Sequence, residues 1–407
     1  MSASTVTAEP GTRVSRGWTT RFALLWFGLW TANLAPVQLV LPNQFDRLDH
    51  AHKVRDFGVV SGATGVVALL ALPLFGALCD RTRSRWGRRR VWMIAGTVVF
   101  AGGLVATGAQ NSWWAVGIAW LIATLGIDMV TAGATAAIAD DVPDAQRGSI
   151  SAAIYGPQAI GILVGVAALT ALDQDGVIAY GVLAIVLIGT ALPFLLWYRD
   201  RAGVPTPTLS LRSIVTGLWI RSADFGWAFG GRMLVNLGNA LGTTYLLYFL
   251  QDDLKLDDPD TGLLGLSGVY LVFTLLATVW GGRASDRTAR RRPYVAVAAV
   301  LQAVAGLLLS AFPHYGVALV GAAFLGAGYG AYMSVDQALV TAVLPDAASR
   351  AKDLGIMNVG SVGPQALAPL AAAVVIGELG GYPVLFALSG TLTVLGALCV
   401  FRIRSVR

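Results

Sequence analysis

The sequence is short of charge. Only 13% of its 407 residues are Asp, Glu, Lys or Arg, whereas 56% are apolar, and a mean hydropathy of +0.66 does not suit a surface bathed in water. Glutamate is nearly absent: Glu9 and Glu378 are the only two. The three histidines, His50, His52 and His314, all lie between apolar runs. The two cysteines, Cys79 and Cys399, make neither a disulfide framework nor a zinc site; they read as small side chains tolerant of apolar surroundings. A membrane-embedded enzyme needs a nucleophile, a metal cluster or a histidine-rich interfacial loop, and none of these is present. No metal or cofactor is therefore expected. No basic soluble domain exists either, so the pI of 9.5 points away from nucleic acid and toward anionic lipid. Nor do the 48 glycines form a phosphate loop or a dinucleotide pattern; they read as sites of close helix packing.

What is abundant is long apolar runs. A bilayer core of about 30 Å takes roughly 20 apolar residues per helix, and twelve such runs fit the chain: 18–42, 57–78, 91–110, 113–139, 149–172, 176–198, 225–250, 262–282, 294–312, 315–343, 354–377 and 382–401. The expected fold is an all-α membrane protein of twelve transmembrane helices. The first run exceeds the 7–15 residues of a signal-peptide core and no small-residue cleavage site follows it, so a secretory leader is not expected. Placing both termini in the cytoplasm puts 24 of the 29 Lys and Arg residues inside, four outside (Arg47, Lys53, Arg55 and Lys255) and one, Arg232, within a helix. This bias sets the expected orientation in the cell membrane. The opposite face carries the acidic stretch QDDLKLDDPD and the break around Asp173 and Asp175.

The chain also repeats itself. Asp80-Arg81-Thr82 recurs as Asp286-Arg287-Thr288 and Gly156-Pro157-Gln158-Ala159 as Gly363-Pro364-Gln365-Ala366, at offsets of 206 and 207 residues. Asn33-Leu34 against Asn236-Leu237 and Pro143 against Pro345 are weaker echoes. Two six-helix halves of like orientation follow, related by an axis along the membrane normal. The expected layout is a tail 1–17, a first half 18–198, a cytoplasmic linker 199–222, a second half 223–402 and a tail 403–407.

GALCDRTRSRWGRRR between helices 2 and 3, its shortened copy GRASDRTARRR between helices 8 and 9, and the duplicated twelve-span plan together resemble the major facilitator superfamily. Within it, DRTRSRWGRRR is similar to the glycoside-pentoside-hexuronide transporters and the plant-type sucrose–proton symporters. The resemblance covers nearly the whole chain and implies alternating access, by rocking of the halves around a central site. The arginine loop then has two readings. Asp80 meets the positive end of a helix from the other half while Arg81, Arg88 and Arg89 engage acids and lipid phosphates, latching the cytoplasmic side; or the arginines only fix orientation. Asp140, Asp141 and Arg147, with Asp286, Arg287, Asp346 and Arg350 in the second half, either complete that gate or are exposed loop charges.

An ionisable group inside the membrane is costly, so each one is a functional candidate. Asp128 lies twelve residues before Asp140, roughly 18 Å along a helix, near mid-membrane. Asp336 lies nine residues before Pro345, about 13 Å by the same rise, and Arg232 sits at comparable depth. An Arg232–Asp336 ion pair would be neutral and would leave Asp128 without a cationic partner, as the proton-carrying acid or as a hydrogen-bonded structural one. The sucrose-symporter resemblance implies a proton-coupling aspartate in helix 4, the helix of Asp128. The melibiose branch implies sodium held by helix 2 aspartates; here VVSGATGVVALLALPLFGAL has no acid before Asp80, which argues for protons.

On helix 1, Trp26, Trp30 and Asn33 share one face, followed by Gln38. Aromatic planes beside amides suit a sugar, whose C–H faces stack while its hydroxyls hydrogen-bond; the alternative is an interfacial belt that includes Trp18. Further cargo candidates are Tyr155, Gln158, Asn236, Asn239, Tyr245, Gln337, Asn358 and Gln365, against the alternative of amides that bridge helices. The expected activity is proton-coupled import of a sugar or glycoside by a monomer, with a proton-driven exporter and a non-transporting sensor as alternatives.

Overall fold

The computed structural model describes residues 13–143, 146–172, 176–200, 223–288, 291–343 and 350–404. Among these, every regular element is a helix, and twelve helical units cross the bundle. The first, α1, runs Arg16–Ala35, widens into a π-helical turn at Pro36–Val40 and continues as Leu41–Leu48. Ser15 caps its start, its hydroxyl accepting from the Trp18 amide at 3.2 Å. Pro36 has no N–H to donate to the preceding turn, and the widened turn absorbs that break without ending the helix. The helix therefore outruns the expected end at 42. Polar Gln44 is kept inside by its partners, its amide donating to the Thr107 carbonyl at 2.9 Å and its oxygen accepting from Tyr180 at 3.0 Å.

Next come α2 (Lys53–Arg81), α3 (Arg88–Gly108), α4 (Trp113–Asp141), α5 (Arg147–Leu172) and α6 (Gly176–Trp197). The second half holds α7 (Ala223–Thr244), α8 (Pro259–Thr288), α9 (Arg292–Ala311), α10 (Tyr315–Val343), α11 (Arg350–Glu378) and α12 (Gly381–Phe401). Past a 40° bend, α7 continues into Leu246–Asp253, ending in a second π turn at Phe249–Asp253. By length and hydropathy ten helices among the described residues span a membrane unaided, and bent α7 makes an eleventh. One expectation is corrected here. Helix 2 starts at Lys53 rather than 57, so Asp56 does precede Asp80 within it; Asp56 sits in the first turn, buried and paired with Arg55 at 2.9 Å, at the helix end and not in mid-span.

Within the first half α1 lies against α5 and α6, and α4 against α2 and α3; within the second, α7 lies against α10, α11 and α12, and α10 against α8 and α9. Lipid supplies no hydrophobic drive between helices, so close approach by small residues provides the contact. Gly126 is such a place: a Cβ there would lie 2.4 Å from the Phe100 amide nitrogen of α3.

The two ends of the bundle differ. The basic end carries the α2–α3 arginine loop, and the opposite end carries the α1–α2 and α7–α8 connections. The halves meet along α2 and α11 and along α5 and α8. Gly58, Gly62 and Gly65 of α2 face Ala373, Leu370 and Ala366 of α11, and a Cβ at Gly58 would stand 2.5 Å from that of Ala373. At the opposite end polar bonds cross the seam. Lys53 donates to Asp252 at 2.7 Å, Asn43 to Asp260 at 3.0 Å, and Tyr248 to the Pro42 carbonyl at 3.0 Å. The bundle is thus drawn together at the opposite end.

Candidate functional site

Helical spacing builds a polar stripe inside the second half. Arg232, Asn236 and Asn239 follow one another at i, i+4 and i+7 on α7, and Tyr329, Tyr332 and Asp336 at i, i+3 and i+7 on α10. The helices run antiparallel, so the stripes meet rung by rung. Arg232 pairs with Asp336 at 3.0 Å, both nearly enclosed, and Tyr329 donates to the Asn236 side-chain oxygen at 3.1 Å. The Asn236 amide in turn donates to the Arg232 carbonyl at 2.8 Å. Arg232 also donates through Nε to Ser361 of α11 at 2.5 Å, and Tyr270 of α8 donates to Asn239 at 3.1 Å. Four helices thus share one network around a neutral ion pair. Tyr270, Tyr329, Tyr332 and Ser361 were missed in the sequence; the spacing of Tyr329, Tyr332 and Asp336 was the signal that located the tyrosines beside the acid.

The first half holds the contrasting acid. Asp128 on α4 is 9% exposed, makes no hydrogen bond or ion pair with the described residues, and has its Oδ2 enclosed without a partner. It follows Gly117 by three helical turns on the same face, and a Cβ at Gly117 would meet Val60 of α2 at 2.9 Å. Asp128 therefore lies on the side of α4 that meets α2, away from the face that Gly126 presses onto α3.

On α1, Thr31 and Ala35 abut Gly161 and Gly165 of α5, while Gly28 abuts Thr190 of α6. Trp26, Trp30 and Asn33 occupy the remaining side. Trp26 and Trp30 stack with ring centroids 5.5 Å apart, and the Trp30 indole donates to the Ile154 carbonyl of α5 at 3.1 Å. Trp30 is thus anchored between Trp26 and α5, and both Trp30 and Asn33 are half-buried. Trp18 and Trp26 are buried among Phe22 and Phe194, not spread at an interface.

Two of the cargo candidates fall elsewhere. Tyr245 is buried in the seam at the opposite end, its hydroxyl donating to the Pro369 carbonyl at 2.8 Å beside the Val54 carbonyl. Gln38 belongs to the same seam, accepting from Ser267 of α8 at 3.4 Å. Both were expected near the cargo because polar groups in apolar helices look alike in sequence, whether they line a cavity or clamp two halves. Gln158 is half-buried on α5, and Gln365 is exposed on α11 one turn beyond Ser361. The side chains of Tyr155, Gln337 and Asn358 lie outside the described residues, as do those of Arg147, Asp286 and Arg350, and residues 201–222, Asp173, Asp175 and Asp346.

The arginine loop forms a network inside its own half. Asp80 pairs with Arg89, not with a helix of the other half as expected. Arg89 also binds Asp140 through Nε at 3.1 Å, Arg88 binds Asp140 at 2.9 Å, and the Arg89 amide donates to Asp200 at 2.7 Å. A bundle drawn together at its opposite end keeps Asp80 at home. Arg81 and Arg287 are exposed.

Two tandem matches to one family model, described as Major Facilitator Superfamily, cover 22–227 and 228–407. The chain belongs to the major facilitator superfamily. Its fold is accordingly that of a multi-pass secondary transporter built from two similar halves. Comparison with curated protein sequences finds no match. Among solved structures, a point mutant of the nucleoside transporter NupG is similar at a TM-score of 0.75 and 14% identity, covering 95% of this chain and 99% of that one. A second NupG structure is similar at 0.74 and 12%, covering 95% and 98%. At such identities the likeness is one of fold.

Proposed function

We propose that this superfamily member imports a sugar or glycoside together with protons, by alternating access, with its basic end in the cytoplasm of the cell that carries it. The observation that carries the reading is the contrast between the two membrane acids. Asp336 is neutralised by Arg232 at 3.0 Å, whereas Asp128 is enclosed with no partner. A carboxylate in a low-dielectric interior with nothing to balance it is costly to keep charged, so loading and unloading a proton there couples the membrane gradient to the cycle. Half-buried Trp30 and Asn33 in the first half and half-buried Asn239 in the second are the ring and amides that such a cargo would use. On this orientation the structure is closed outward. The sensor alternative has no use for two duplicated sets of charged ends.

A nucleoside is a second cargo class. It is favoured by the likeness of fold to NupG, and a ribose joined to an aromatic base makes the same demand for a ring plane beside amides. Uptake of labelled disaccharides and nucleosides into proteoliposomes, with and without an imposed acid-outside gradient, tests both. Gradient-driven accumulation of a sugar supports the first reading, accumulation of a nucleoside alone selects the second, and failure with every such cargo alongside outward movement of amphipathic dyes turns the direction to export.

A further inference from the structure

The arginine loop has a copy in the second half that is built around a different surface. In the first half, the cleft between α2 and α3 next to the loop is filled. The rings of Phe75 and Trp92 lie 5.7 Å apart, and the Trp92 indole donates to Thr82 at 2.7 Å. Across the repeat, Asp80 matches Asp286 on one side of the loop, and the triple arginine 88–90 matches 290–292 on the other. Phe75 therefore corresponds to Gly281, and Trp92 to Tyr294. One ring of the pair is missing.

The result is an open groove. Both α8 and α9 lie along α10 without lying along each other, and the space between them is lined by Ala277, Trp280, Gly281, Tyr294, Val297 and Ala331, with almost no polar surface. Trp280 stands at its lip, 72% exposed. Arg283 and Arg287 follow Trp280 at i+3 and i+7, so they continue the same edge of α8 toward the basic end. Both are exposed, and neither makes a hydrogen bond or ion pair with any described residue.

We infer that this groove is a binding site for an anionic phospholipid, with an acyl chain between α8 and α9 and the headgroup phosphate held by Arg283 and Arg287. The argument is one of complementarity. An apolar channel one side chain wide fits a hydrocarbon chain, and two unpaired guanidiniums beyond its mouth, where a headgroup must lie, fit a phosphate by charge-assisted hydrogen bonds. Neutral lipid fills the same channel but gains little from a pair of cations. The filled cleft of the first half offers no such channel, so the site is peculiar to the second half.

Trp280 supplies the readout. The full chain is reconstituted in phosphatidylcholine vesicles containing a small fraction of phosphatidylglycerol or phosphatidylcholine with brominated acyl chains, and the quenching lost in Trp280→Phe isolates this site from the other tryptophans. The expected result is that brominated phosphatidylglycerol quenches Trp280 at a mole fraction about threefold or more below that needed with brominated phosphatidylcholine. Unbrominated phosphatidylglycerol should compete the signal away, and Arg283→Gln with Arg287→Gln should abolish the preference. Both arginines are exposed, so the double variant is expected to elute and melt like the parent. Equal quenching by the two lipids, meaning bulk lipid only, overturns the proposal, as does a preference that survives the double variant.

Discussion

The Lys53 ammonium, at the first residue of α2, lies 2.7 Å from the Asp252 carboxylate at the end of α7, and this ion pair ties one half of the transporter to the other. Lys53 is almost wholly enclosed, reaches Asp46 at 2.8 Å and Gln251 at 3.2 Å, and lies over the Tyr248 ring. Asp252 also accepts from Tyr382 at 2.7 Å. Four helices end in this one cluster, and all of its cross-half bonds must break if the opposite end is to open.

Removing the cation should therefore shift the balance of states. In Lys53→Met, Asp252 loses its countercharge while keeping Tyr382, and opening at that end becomes easier by about 1–2 kcal/mol, roughly five- to thirtyfold in population, since Asp252 is partly solvated. A cysteine introduced in place of half-buried Ser267, where α8 meets Gln38 of the other half, in a chain lacking Cys79 and Cys399, should label faster with a membrane-impermeant thiol reagent. Unchanged labelling would mean that the cluster is not a latch.

The glycine seam makes the complementary prediction. A Cβ at Gly58 meets Ala373, the Tyr245 hydroxyl and the Pro369 carbonyl at 2.5, 2.8 and 2.9 Å. Two of these belong to backbone or to a packed methyl and have nowhere to go. Gly58→Val should wedge α2 from α11, raise labelling at the same reporter, and lower transport by stalling the return step. Gly76, with open space around it, is the control site: Gly76→Ala should leave labelling as it was.

The Arg232–Asp336 pair is predicted to behave as a unit. Either Arg232→Gln or Asp336→Asn alone strands a buried charge, at a cost on the order of 3–5 kcal/mol. The double variant removes both charges and should recover much of that loss. Thermal unfolding in detergent measures the cycle, and strictly additive losses would show that the pair is not coupled.

Asp128→Asn carries the coupling proposal. Because the carboxyl has no cationic partner to strand, the variant should fold like the parent, abolish uphill accumulation and spare cargo exchange. Full accumulation by the variant under an acid-outside gradient would remove Asp128 from the proton path.

The spans, the duplication and the Arg232–Asp336 partnership were legible because each is written locally. Hydropathy counts residues against the thickness of a membrane, repeated motifs align by offset, and depth along a helix follows from counting to its end. The isolation of Asp128 followed by the same count. The boundaries of α1 and α2 were less legible: a proline absorbed by a π turn, and a polar end buried against Thr107 and Tyr180, look in one dimension like the start of a loop.

The sequence by itself thus determined a lipid-embedded twofold bundle with one paired and one unpaired acid. Only the tertiary structure decided that Tyr245 and Gln38 clamp the halves, that Asp80 stays with Arg89, and that the bundle closes at the end marked by Lys53. The reason is energetic. Secondary structure and burial in lipid are worth many kcal/mol per helix and are fixed by each segment alone, whereas the meeting of the halves is an exchange between two sets of contacts of similar worth. Which set forms depends on the placement of residues some 200 positions apart, and no local pattern records it.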